Sequence, residues 1–477
     1  MKAFFSDYLK TIEPGLKKLV SILSEQYDYV SILSTDSKGL RVMITRHARS
    51  VGSETMTTER GTVVRVAKNG LYSEYAFNDF DAEHPEATAE RLKEQLDAQL
   101  ALLASLNTPV YETGVLDDEP CELFVEKETG ELPEDCDVKA LVERLTAISE
   151  KGMTLSEYMI DCMAVAQSTH ISKLFLTKNR HMAQSYVYSE GFIQAVVNRE
   201  GSTRAGRASL SGLAGPEIFA GLSDKTEEAV EQALVLLDAD RIEPGEYEII
   251  CTPEVSGLIA HEAFGHGVEM DMFVKERALG KEYIGKRVGS DLVTMHEGAL
   301  CAENVTSYAF DDEGVPAGDV TEIDHGILKT GICDALSAKR LGTRPTGNGK
   351  RENYEHKVYT RMTNTMFDSG TDTAEDMIAS VKYGWLLEGM QSGMEDPKHW
   401  GIQCIIDHAR EIRDGKLTGR VVAPVIMTGY VPDLLGNVTM VSKDREVFGC
   451  GGCGKGHKEW VKVADGGPYL KTKGWLG

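Results

Sequence analysis

The sequence predicts an α+β fold, and three observations carry that prediction. Apolar residues at helical spacing recur in a few separated stretches of the first half. Between them lie short runs rich in β-branched and aromatic residues, bounded by turn-forming residues. Beyond residue 290 the pattern becomes mainly short strands and Gly-rich turns. A chain of 477 residues is too long for one compact core. The reading is therefore an N-terminal antiparallel sheet with packed helices over residues 1–240 and a C-terminal β-rich domain over residues 241–477.

In chain order, Phe5, Leu9, Ile12, Leu16, Leu19 and Leu23 form a helical stripe that Pro14-Gly15 interrupts, predicting one kinked helix or two short ones. The runs "YVSILST", "LRVMITR" and "TVVRVAKNGLYSEYAF" follow, separated by Asp-Ser-Lys-Gly and Lys-Asn-Gly turns, as in an antiparallel meander. Leu92, Leu96, Leu100 and Leu103 mark a long helix near 85–106; Val138, Leu141, Val142, Leu145 and Ile148 mark another near 137–149. Strands are expected over 173–198, with a turn at Ser-Glu-Gly. Asp224 and Glu227 stand at capping-box spacing before a helix reaching residue 238. In the second half, Thr252 followed by Pro253 reads as a helix start, and a helix is expected over 373–383, ended by Gly384.

Composition excludes several classes. With 42% hydrophobic and 26% charged residues the chain is globular. No apolar run reaches the roughly 18 residues a membrane helix needs, and the start lacks a signal-peptide pattern, so a cytoplasmic protein without a membrane partner is expected. A net charge of −24 without a basic stripe argues against nucleic-acid binding. Nine scattered cysteines fit a reducing compartment.

The chemistry concentrates in "HEAFGH", residues 261–266, where the second histidine follows the first by five places. Histidines four apart on an α-helix lie about 40° from each other, but those five apart lie about 140° apart. A straight α-helix cannot aim both at one ion. Gly265 and Gly267 flank His266 and allow a π-type turn or a sharp exit there, after which both imidazoles can converge. Catalytic zinc takes three protein ligands and keeps one position open. The best third candidate is Cys453, in the Gly-rich "VFGCGGCGKGHKEW", where Lys455 would favour the thiolate. A rival use of that loop is a structural zinc held by Cys450, Cys453 and His457.

These residues, with "HEAFGHGVEMD" (261–271), "DDEGVP" (311–316), "RPTGNGKRENYEHKVYTRMTNT" (344–365), "AEDMIASVKYG" (374–384) and "CGKG" (453–456), resemble the TldD/PmbA family of metallopeptidases, in its metal-bearing branch. The resemblance covers about 200 residues of the C-terminal half, in the family order. It departs over residues 386–416 and after His457. The resemblance implies a peptidase for small or unfolded peptides. It implies His261, His266 and Cys453 as ligands of one Zn2+ per active subunit, Glu262 as the catalytic carboxylate, and a homodimer or a heterodimer with a paralogous subunit. On this reading Glu262 is the general base for a metal-activated water. Glu269 and Asp271 could orient a histidine through its second nitrogen, and Arg361 and Asn364 could hold substrate. His296, His325, His356, His399 and His408 read as ordinary histidines. The alternative function is a non-catalytic peptide-binding or partner subunit with a structural metal.

Overall fold

The computed structural model describes residues 1–106, 111–455 and 459–477. It is α+β, with two large sheets. The first has eight strands. Its central path runs Leu71–Phe77, Arg60–Lys68, Tyr29–Ile44, Met159–Leu176, Arg180–Arg199 and Cys121–Glu126. All its pairings are antiparallel except the last, where Cys121–Glu126 lies parallel to Arg180–Arg199. Helices Asp7–Leu23 and Pro85–Ser105 bury their leucine stripes against one part of this sheet. Against another, helix Val138–Thr154 buries Leu141, Leu145 and Ile148, and helix Lys225–Val235 buries Ala229, Val230 and Ala233.

Several local expectations change under tertiary contact. Pro14 sits inside one helix, Asp7–Leu23, capped by Ser6 Oγ accepting from Leu9 N at 3.2 Å. Gly15 serves a close approach: a β-carbon there would stand 2.6 Å from the carbonyl of Ala82. Asp-Ser-Lys-Gly makes no turn, because Tyr29–Ile44 runs unbroken through it, paired with residues 164–176. Its Asp36 finds partners across the fold instead, accepting from Ser6 Oγ at 2.5 Å and Arg60 Nε at 2.7 Å. Ser-Glu-Gly likewise lies inside the continuous strand Arg180–Arg199. Asn69-Gly70 does form a hairpin turn, with φ of 54° and 77°. Asp224 caps nothing, since a 3₁₀ segment Pro216–Asp224 leads straight into the helix. The helix expected over 373–383 spans only Ala374–Ala379, capped by Thr373. Gly384 already belongs to a strand, pressed so close to Glu248 that a β-carbon would lie 2.2 Å from its carbonyl.

The second sheet has eleven strands, mixed in direction. Part of it closes on itself. Val461–Leu476 pairs with Val425–Tyr430, that with Gly401–Arg413, that with Tyr383–Asp396, that with Gly245–Cys251, and Gly245–Cys251 pairs again with Val461–Leu476. The core beside this ring includes Trp385, Trp400, Met427 and Phe264. Gly245–Cys251 feeds directly into the helix that bears His261, so the ring fixes where that helix stands. No helix among the described residues is long and apolar enough to cross a membrane.

Candidate metal centre

Thr252 is extended and Pro253 opens the helix, its missing N–H costing nothing at that position. After one α-turn the backbone widens into a π-helix over Ile259–Gly265, and His266 N donates to His261 O, five residues back. The wider turn cancels the angular error of the five-residue spacing. The two imidazole centroids stand 5.2 Å apart at 89°. Gly265 keeps ordinary helical angles, so its role is proximity: a β-carbon would lie 2.2 Å from Met362 Sδ. Gly267 plays the same part against Glu395, at 2.4 Å.

Cys453 arrives at the end of the strand Met440–Cys453, paired with Val461. Its Sγ is 3.3 Å from His266 Nε2, and one donor atom from each of His261, His266 and Cys453 lies within 4.8 Å of the others. Two nitrogens and a sulfur are a donor set that suits zinc. His261 Nδ1, buried without a hydrogen-bond partner among the described residues, is a further sign that this cluster is not self-sufficient. Burial would raise the Cys453 thiol, but the His266 and His261 imidazoles outweigh it and hold the thiol well below its usual range. Burial would lower His261, but the facing Cys453 takes it up to about 9.

Lys455 plays a different part from the one expected. Its Nζ reaches Asp271 Oδ1 at 2.6 Å, Glu269 Oε2 at 3.0 Å and Thr360 O at 3.1 Å, so its charge is committed there. The charges that favour the thiolate are those of the histidines. Glu269 Oε2 in turn lies 3.1 Å from His266 Nδ1, the orienting contact a metal-bound imidazole needs. Burial opposes ionisation of Glu269, but Lys455 and His266 hold its carboxyl down at about 2. Asp271 contacts Lys275 and Lys455 and touches neither histidine.

Arg361 and Asn364 do not line the cleft. Arg361 is fully buried, donating from Nη2 to Cys453 O at 2.8 Å and from Nη1 to Glu459 O. It therefore shapes the cysteine loop. Asn364 is buried too, accepting from Thr306 Oγ1 at 2.8 Å and donating to Gly298 O at 3.1 Å. Cys450 stands apart from the three donors, its Sγ donating to Leu210 O at 3.2 Å, and burial pushes its thiol up. His457, named in the rival zinc site, lies outside the described residues. His296, His325 and His399 face Asp319, Asp324 and Asp396 at 2.6–2.7 Å, and His408 Nε2 is 3.3 Å from Glu388.

The three donors and Glu262 lie in a cleft of about 970 Å³, lined in part by the strand segment Met390–Glu395. Glu262 Oε2 is 3.8 Å from His266 Nε2, and Gly393 makes room for it: a β-carbon there would stand 2.6 Å from Glu262 Cγ. Two carboxyls escaped sequence reasoning. Asp465 Oδ2 is 3.9 Å from His261 Nδ1, and burial raises it to about 6 against the pull of His261. Glu395 has both carboxyl oxygens buried without partners among the described residues, which holds it well above the carboxylate range. Neither has a local signal, because each meets the helix only through the fold.

The chain is similar to known metallopeptidases. Residues 244–475 match the family described as PmbA/TldA metallopeptidase C-terminal domain. A metalloprotease of Synechocystis is 27% identical over 98% of this chain and 98% of its own. One of Methanocaldococcus jannaschii is 29% identical over 71% of this chain and 74% of its own. Among solved structures, TldE from Thermococcus kodakarensis superposes with a TM-score of 0.75 at 18% identity, covering 97% of this chain and 100% of its own, a likeness of fold.

Proposed function

The chain belongs to the TldD/PmbA family of metallopeptidases and is a metal-dependent peptidase, and on that premise we propose that it hydrolyses small or unfolded peptides at a zinc site held by His261, His266 and Cys453. The observation that carries the proposal is the meeting of one donor atom from each of these residues within 4.8 Å, beside Glu262 in an open cleft. Zinc as the metal is supported by the name of a relative in Saccharolobus solfataricus, a zinc metalloprotease TldD homolog, 30% identical over 48% of this chain.

When bound, the ion supplies Lewis-acid activation of a water molecule and polarises the peptide carbonyl. His261 and His266 offer neutral nitrogens and Cys453 a thiolate, a three-ligand set that leaves one position for water or substrate. Glu262 Oε2, on the cleft side of His266, takes the water's proton and passes it to the leaving amine. Glu269 fixes the ring of His266 by accepting from Nδ1, which leaves Nε2 to ligate. The extended wall Met390–Glu395 admits peptide chains rather than folded domains. The subunit pairs with itself or with a paralogous subunit.

Glu262→Gln tests the chemistry. It should leave zinc content and melting temperature unchanged while cleavage of short peptides falls by about 10²–10⁴-fold. Cleavage retained in that variant would remove Glu262 from the chemistry, and absence of cleavage in the metal-loaded wild type would favour the second reading, a non-catalytic partner subunit with a structural metal.

A further inference from the structure

Besides the three donors described above, one other cluster among the described residues brings metal-ligating atoms together: Glu352, His356 and Glu459. His356 Nδ1 stands 2.9 Å from Glu459 Oε2 and 3.4 Å from Glu352 Oε2. With metal–ligand bonds of about 2.1 Å, neighbouring donors lie about 3.0 Å apart at a right angle and about 3.4 Å apart at a tetrahedral one. Both separations therefore fit a shared ion. The side chains of Glu352, His356 and Glu459 are 27%, 37% and 21% exposed, open enough for an ion to enter and keep its waters. Among the described residues no lysine or arginine nitrogen lies within 4.0 Å of either carboxylate. Two carboxylates thus converge on one imidazole, with no other cation among the described residues to balance them.

We propose that Glu352, His356 and Glu459 form a second site, for a divalent transition ion, distinct from the cysteine-bearing one. One imidazole and two carboxylates suit ions such as Mn2+, Co2+ or Zn2+ better than Ca2+ or Mg2+, which take oxygen alone. The position of the site gives it a role. Glu459 follows Cys453 by six residues in the sequence, and Arg361 joins the two by donating to both of their carbonyls. Glu352 also accepts from Trp460 N at 3.1 Å. An ion binding Glu459 to the segment 352–356 therefore acts on Cys453 through the Arg361 guanidinium that joins their carbonyls. It should raise the affinity of the first site, and occupancy of the first should raise that of the second by the same factor. Only this consequence rests on the proposed zinc site; the second site itself does not.

The test uses the full chain, stripped with chelator and titrated with Co2+. Two equivalents should bind, one with a thiolate-to-cobalt charge-transfer band in the near ultraviolet and one without. Cys453→Ala should remove the band and leave one equivalent. His356→Ala should keep the band and lose the other equivalent, with Glu352→Gln weakening it roughly tenfold or more in case the alanine variant fails to fold. A single equivalent in the wild type, or two equivalents that neither His356→Ala nor Glu352→Gln weakens, overturns the proposal. Absence of the band with one equivalent still lost in His356→Ala would overturn the cysteine-site reading and leave this one standing.

Discussion

Glu269 and Lys455 form a buried ion pair, 3.0 Å apart, that joins the exit of the histidine-bearing helix to the segment after Cys453, 186 residues later in the chain. Because the same carboxylate oxygen lies 3.1 Å from His266 Nδ1, this pair sets both the ring orientation of one proposed ligand and the distance to another. A lysine expected to act on the thiolate thus acts on the geometry.

Glu269→Gln and Lys455→Met should therefore each lower zinc affinity by roughly 10–100-fold without removing a ligand. Asp271→Asn, which leaves His266 untouched, should cost less. Competition against a chromophoric chelator measures all three, and equal losses would contradict the assigned roles.

Cys453→Ala and Cys450→Ala should differ sharply. The first removes a proposed ligand and should abolish stoichiometric zinc; the second removes a thiol bonded to the Leu210 carbonyl and should keep it. Zinc analysis of the two purified variants checks this. Equal loss would revive a C-x-x-C site.

Gly257→Ala should destabilise the fold by about 1–3 kcal/mol or more. Its new β-carbon would stand 2.4 Å from the backbone nitrogen of Gly466, and neither backbone has room to retreat. Denaturant unfolding measures the loss. Because this contact seats the histidine helix on Val461–Leu476, zinc affinity should fall with it.

Glu59 should make stability fall with pH. Burial raises its carboxyl from 4.5 to about 7 in the folded protein. Between those values the folded state holds a proton that the unfolded chain releases, so its favourable contribution is full below 4.5 and lost as pH rises through 7. Melting curves of Glu59→Gln and wild type should diverge in favour of the variant across that window and run parallel above it. A constant difference would refute the assignment.

Much of this was legible locally. The leucine stripes at Leu92, Leu96 and Leu100 or at Leu141 and Leu145 record burial on one face of a helix, and that periodicity survives in any fold that buries them. Turn residues were less dependable. Asn69-Gly70 turned because it ends a ladder, whereas Asp-Ser-Lys-Gly and Ser-Glu-Gly were overridden by long strand pairing that satisfied every backbone group without a turn.

At the site, the sequence by itself determined the chemistry: two histidines, a carboxylate between them and a distant thiol on a glycine-rich loop. Their five-residue spacing ruled out a straight α-helix and left a widened turn or a sharp exit, of which the structure takes the widened turn. Which buried charges surround them was decided only by the tertiary structure. Asp465, Glu395 and the Lys455–Glu269 pair act across sheet and loop contacts, and Arg361 and Asn364 went to backbone carbonyls behind the cleft. Side-chain identity specifies what a residue can bind. Only packing specifies which partner lies within reach.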